Sequence, residues 1–245
     1  MYIYIAFAKH EETMTNPNLN DDKTEVILTG TRKKISSIEP SSIKIGDAVV
    51  PFASSVRNLG VMVDSDLQME TQVSRICKIC YYHLRNISYI RHMLSKDTAN
   101  ILVRSLVISR LDYCNSLYFG ISEKLINKLQ KVQNAGARII SRSKKSSHIT
   151  PILKSLHWLP MRARVDFKVL CLTYQCYHQN APKYLNDIIS KHVPPRALRS
   201  SDQELLTVPN RHLKSYGLRS FSHAGPSLSH NMPLEIILCS TFRVI

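Results

Sequence analysis

The spacing of apolar residues divides the chain into a strand-like first part and a helical remainder. Residues 24–29, Thr-Glu-Val-Ile-Leu-Thr, read as a strand, followed by a turn at Gly30 and the basic run Arg32-Lys33-Lys34. Residues 43–50 hold two short apolar runs around Gly46-Asp47, the signature of a hairpin turn. Residues 58–63 predict a third strand that would complete a small antiparallel sheet. Before residue 24 no clear period is visible.

From residue 68 the period changes to that of a helix. Over residues 68–94, Val73, Ile76, Cys80, Leu84, Ile87 and Ile90 form one apolar stripe. Ser95 is placed to cap a helix running to about Leu111, with Ala99, Leu102, Val103 and Leu106 on one face. Residues 122–141 predict an amphipathic helix that buries Leu125, Leu129, Val132 and Ile139. Its other side carries Lys124, Lys128, Lys131 and Arg138, with Gln130, Gln133 and Asn134 between them. Residues 162–179 are apolar nearly all round and predict a buried helix. Ala181-Pro-Lys-Tyr-Leu185 opens a short helix with proline in its first turn. Beyond Lys191 the content of Pro, Ser, His and Arg rises, as in an extended basic tail. The fold expected is α+β: a small antiparallel β-sheet, a mainly α-helical region and an irregular C-terminal tail. Its segments are 1–17, 18–66, 67–190 and 191–245.

Composition narrows the class. With 44% hydrophobic residues in 245, the chain can bury a core, so wholesale disorder is excluded. The longest uncharged apolar runs fall far short of the roughly 18 residues a membrane span needs. The apolar start lacks a basic leader, so no signal peptide is expected. Six cysteines at ordinary spacing read as reduced core thiols of an intracellular protein, nuclear or cytoplasmic. The run at residues 32–34 is too short to serve as an import signal.

Charge then changes the picture. The net charge is +15, and it is unevenly placed. Residues 1–66 hold 7 basic and 9 acidic side chains; residues 67–245 hold 26 and 9. Such asymmetry points to a polyanion, most commonly nucleic acid. The face of Lys124, Lys128, Lys131 and Arg138, continued by Arg142, Lys144 and Lys145, is the best candidate contact. Cations every three or four residues along a helix can track phosphates. Six neutralised phosphates would cost on the order of a thousandfold in affinity between about 50 and 200 mM salt.

Other constellations carry less. Cys77-x-x-Cys80 with His83 has no second pair at zinc-finger spacing, so these residues read as core thiols rather than metal ligands. His148 and His157 read as turn and packing residues, Trp158 as a core anchor, and Asp64 and Asp66 as turn and helix-capping residues. Tyr81, Tyr82 and Tyr89, interleaved with Arg85 and Arg91, could hold a single strand. Their helical spacing favours core packing instead.

Eight stretches in order carry a family resemblance. They are Leu19-Asn-Asp-Asp-Lys-Thr-Glu25, Asn58-Leu-Gly-Val61, Ser109-Arg-Leu-Asp-Tyr-Cys-Asn-Ser116 and Leu129-Gln-Lys-Val-Gln-Asn-Ala135, followed by His148-Ile-Thr-Pro-Ile-Leu153, Leu156-His-Trp-Leu-Pro160, Ala181-Pro-Lys-Tyr-Leu185 and Leu198-Arg-Ser-Ser201. Together they resemble the C-terminal part of the reverse transcriptase of non-LTR, jockey-like retrotransposons, over roughly residues 18–233. The resemblance implies that residues 18–66 are the end of the polymerase palm and residues 67–190 the thumb and connection. It makes the partner RNA or an RNA–DNA duplex, bound without sequence specificity. Lys23 matches the family's lysine near the leaving pyrophosphate, and Leu59-Gly60 match its primer-grip hairpin. The tail departs from the pattern: Ser220-Phe-Ser-His-Ala-Gly-Pro226 is similar to the family's stretch, but Ser229-His230 replaces the expected Trp-Asn.

Nucleotidyl transfer needs metal ions held by several carboxylates. The resemblance places those acids ahead of residue 18, and Asp21-Asp22 in the turn that follows them. No catalytic residue and no metal ligand is therefore expected on this chain; magnesium belongs only to the intact family enzyme. Three readings stay open. One is a thumb-like fragment of an RNA-directed DNA polymerase that binds nucleic acid without an active centre. Another is a host-adopted protein-interaction module whose charge serves solubility. The third is an active polymerase with its upstream part missing from the gene model.

Overall fold

The computed structural model describes residues 2–7, 24–30, 35–37, 42–45, 48–192, 205–210 and 216–230. Four strands form one sheet: β1 (Tyr2–Phe7), β2 (Thr24–Thr29), β3 (Ser42–Ile45) and β4 (Ala48–Ala53), in the order β1-β2-β4-β3. β1 and β2 run antiparallel, with Tyr2 opposite Thr29 and Phe7 opposite Thr24. The opening hexapeptide is thus a strand, although it has no alternation to announce one. A strand whose residues are all apolar gives no period of two. β3 and β4 form the expected antiparallel hairpin, Ile45 facing Ala48. Its turn at Gly46-Asp47 lies outside the described residues.

The sheet is mixed rather than antiparallel throughout, because β4 joins β2 in parallel, with Val26 opposite Phe52. The stretch between β2 and β4 is long enough for a parallel return, which a tight turn could not provide. Residues 58–63 are not one strand. β5 (Ser55–Asn58) and β6 (Val61–Asp64) pair as a separate two-stranded hairpin. Leu59 and Gly60 make its turn with φ of 46° and 83°. Two consecutive positive φ values define the turn type whose twist suits a tight hairpin. Ile27 of β2 and Val56 of β5, both 0% exposed, pack together with Ala53 and Val63.

The helices follow. α1 (Glu70–Ile90) buries Val73, Ile76, Cys80, Leu84 and Ile87 as the stripe predicts, but Ile90 is 44% exposed. α2 (Lys96–Val103) starts at Ser95, whose Oγ accepts the Thr98 amide at 3.0 Å, confirming the cap. It continues through a π-helical turn at Arg104–Ile108 into α3 (Ser109–Asp112). The π turn inserts a residue, so the buried positions move from the expected Leu106 to Val107, Ile108 and Leu111. α4 (Glu123–Ser141) buries Leu125, Leu129 and Val132, with Ile140 rather than Ile139 completing the face.

The remaining helices are α5 (Ile149–Ser155), α6 (Met161–Tyr177), α7 (Lys183–Asn186) and α8 (Phe221–Ser229). α6 is one-sided rather than buried all round: Val165, Val169, Thr173 and Cys176 are inside, while Phe167 is 40% exposed. α8 falls in the segment expected to be an extended tail. Its Gly225 packs so closely on α6 that a Cβ there would meet Thr173 Oγ1 at 2.5 Å. Only glycine permits that approach, which is how a segment containing Pro226 gains a buried helical face.

The chain divides into two compact units, Met1–Leu111 with Ile121–Ser147, and Asp112–Gly120 with His148–Ile245. The strands and the helices α1, α2 and α4 share the first unit. Within the second unit, Arg164 donates from Nη1 to Asp112 Oδ2 at 2.6 Å and Asn115 donates to the other carboxylate oxygen at 3.4 Å. No described helix is long and apolar enough to cross a membrane.

Candidate nucleic-acid interface

On α4 the cations fall on one side and the core residues on the other. Lys124, Lys128, Lys131 and Arg138 share a stripe because steps of three, four and seven residues return to one face of a helix. Lys124 and Lys131 are exposed and Lys128 is half-buried. The sole acid of the helix is Glu123, in its first turn. Burial raises the pKa of the Cys77 thiol on α1, and the charge of Lys128 partly offsets the rise. Lys144 and Lys145 are exposed in the loop after α4.

The arginines of the predicted face are employed differently. Arg142 ends α4 in the left-handed conformation, φ 53°. Its Nη2 donates to the carbonyls of Arg91, His92 and Leu94 at 3.0, 3.3 and 3.4 Å, the end of the α1 segment. Arg91 returns the favour: Nε donates to Ile139 O at 2.7 Å and Nη2 to Ile140 O at 2.8 Å, with Nη1 on Leu94 O at 2.7 Å. Each guanidinium thus caps the C-terminus of the other helix, where carbonyls lack partners and the dipole favours a cation. Arg138 Nη2 reaches Ser147 O at 3.4 Å, and its Nε is buried without an acceptor. Arg138 and Arg142 thus donate to backbone carbonyls beside the lysine stripe, and Arg142 stays exposed.

The β5–β6 hairpin is held against α1. Arg75 Nη1 donates to Gly60 O at 3.2 Å, and the Met62 amide donates to the buried Gln72 Oε1 at 2.9 Å. The Thr71 amide donates to Asp64 Oδ2 at 3.3 Å, and Gln68 N to Asp66 Oδ1 at 3.3 Å. Leu59 projects from the turn with 83% of its surface exposed. Lys23, like Asp21-Asp22, lies outside the described residues.

The outward side of α1 overturns the expectation of core packing. Tyr81, Tyr82 and Tyr89 are 43%, 60% and 84% exposed. The signal was in the sequence: Tyr82 and Tyr89 lie opposite the stripe of Val73, Ile76, Cys80, Leu84 and Ile87, and Tyr81 lies at its side. Lys78 and Arg85 are exposed on the same side.

No family model, curated protein or solved structure matches the chain. Its chemistry rests on the residues alone. Cys80 is buried, donates to Val107 O at 3.9 Å, and burial pushes its thiol up to about 12. A protonated thiol is a poor metal ligand. Among the described residues no three His, Cys, Asp or Glu side chains gather to hold a metal ion. Asp64, Asp66 and Glu70 do line a shallow polar depression, but Asp64 and Asp66 accept backbone amides at the entry to α1. His148 precedes α5 and His157 takes a turn conformation at φ 54°, both exposed. Trp158 is buried at 7% exposure, as a core anchor should be.

Proposed function

We propose that the chain is a thumb-like portion of a non-LTR retrotransposon reverse transcriptase that grips RNA or RNA–DNA duplex and does not itself polymerise. The ordered motifs support the family. The binding rests on one observation: the stripe of Lys124, Lys128 and Lys131 on a helix whose single acid sits at its start. In this reading the strands of residues 18–66 are the palm end, the β5–β6 hairpin corresponds to the primer grip, and the helices α1 to α4 form the thumb. Lys23 is an idle remnant of leaving-group chemistry. The reading as a host-adopted interaction module has no observation of its own in its favour.

The test is titration of the full chain against a fluorescent RNA–DNA duplex at rising salt. If Lys124, Lys128, Lys131, Lys144 and Lys145 neutralise five phosphates, log K falls with log salt at a slope of about −4.5, several hundredfold between 50 and 200 mM. Replacing Lys124, Lys128 and Lys131 together by alanine should flatten the slope by about 3, roughly one per lysine. A flat response in the parent chain, or an unchanged slope in the triple variant, overturns the interface. Magnesium-dependent extension of a primer by the purified chain overturns the absence of polymerisation.

A further inference from the structure

We infer that the outward face of α1 is a base-stacking platform that gives the chain a preference for single-stranded nucleic acid. The inference rests on the nucleic-acid reading above and adds a second, chemically distinct contact to it. Lys78, Tyr82, Arg85 and Tyr89 follow one another at steps of four, three and four residues, a single stripe along the helix. Tyr82 and Tyr89 stand roughly 10 Å apart along the axis, at 1.5 Å per residue, with Arg85 between them. Tyr81, one helical turn after Cys77 and 43% exposed, flanks the stripe. α1 itself packs against α4, the helix that carries the lysine stripe.

Two aromatic rings left mostly in water on one helix face, with a third half-exposed beside them, are a feature to be explained, since their burial elsewhere would be favourable. After Glu70 the helix contains no acid, so the charge beside the rings is uniformly positive. Rings interleaved with cations suit a ligand that offers both phosphates and open π-faces. A single strand offers both, whereas a duplex hides its base faces within the stack. An acidic protein segment would match the charge and leave the rings without flat partners. The ring of Tyr82 is steadied by an edge contact to His83, with centroids 5.5 Å apart.

The experiment titrates the full chain with three fluorescent probes of equal length: an oligoadenylate, the same backbone without bases, and an RNA–DNA duplex. The double variant Tyr82→Ala/Tyr89→Ala should bind the oligoadenylate at least about tenfold more weakly, as stacking on a ring is worth that much per base. Its affinity for the base-free strand and for the duplex should be unchanged, and so should the salt slope. Tyr82→Phe/Tyr89→Phe should behave as the parent. Both positions are exposed and alanine favours helix, so the variants retain the fold, which circular dichroism verifies. Equal binding of the oligoadenylate by parent and alanine variant overturns the platform, as does an equal loss on the base-free strand. If the duplex is bound with steep salt dependence while the tyrosines prove indifferent, only the platform falls. If the parent chain binds none of the probes, the nucleic-acid reading falls with it.

Discussion

Leu59 occupies a position that its chemistry does not suit. A branched apolar side chain at φ 46° clashes with its own backbone, and at 83% exposure it gains almost nothing from packing. Asparagine is the residue this turn prefers before glycine, because a short polar side chain tolerates the left-handed region. Leu59→Asn should therefore stabilise the chain by about 1 kcal/mol, the lower end of what a strained backbone residue costs. Urea denaturation of the two proteins reads the difference directly; a destabilised variant would show that Leu59 makes a contact the turn geometry does not explain. The same residue explains why the pattern of residues 58–63 suggests one continuous strand. Turns are found in a sequence by Gly, Asn, Asp or Pro pairs, and Leu-Gly between Asn58 and Val61 presents half of that signal. The tyrosines of α1 mislead for a related reason: an amphipathic ring counts as apolar in a pattern although it can stand in water.

Between elements, the reciprocal caps of Arg91 and Arg142 tie the ends of α1 and α4 together. Arg91 is placed on three carbonyls at 2.7 to 2.8 Å, short charge-assisted bonds from one planar fork. Desolvation, and after it the neighbouring guanidinium of Arg142, lower its pKa, so some of the gain offsets these costs. Arg91→Ala should cost about 2 kcal/mol, within the range for hydrogen bonds to a charged group, and denaturation midpoints would record it. Arg91→Lys should recover only a fraction, since an ammonium cannot reproduce the fork; full recovery would make simple charge at the helix end the whole effect. What was legible at this scale were the stripes of α1 and α4 and the Ser95 cap, all encoded in local spacing. The clamp was not, because nothing local to Arg91 names carbonyls 48 and 49 residues away. Nor was the π turn in the α2–α3 segment, which shifts the buried face by one residue where a uniform period assumes none.

Across the whole molecule the excess of positive charge after residue 66 is the property that any polyanion would feel first. Composition made that excess legible; it could not say which cations are committed to carbonyls and which line a face, because that depends on tertiary partners. The distinction has a thermodynamic consequence. A ligand bound only by the folded chain stabilises it by RT ln(1 + [L]/Kd), about 4 kcal/mol when the ligand stands near a thousandfold above Kd and about 0.4 kcal/mol when it equals Kd. Set the duplex concentration several hundredfold above Kd at 50 mM salt. The loss of phosphate contacts by 200 mM then brings concentration and Kd nearly level. The midpoint of thermal unfolding, compared with and without duplex at each salt, should rise by roughly ten degrees at the lower salt and by about one at the higher. Comparison at equal salt removes the direct effect of ions on the protein. The alanine variant of Lys124, Lys128 and Lys131 should show a shift that is smaller at 50 mM and varies less with salt. A shift equal in parent and variant would move the contact away from the lysine stripe of α4.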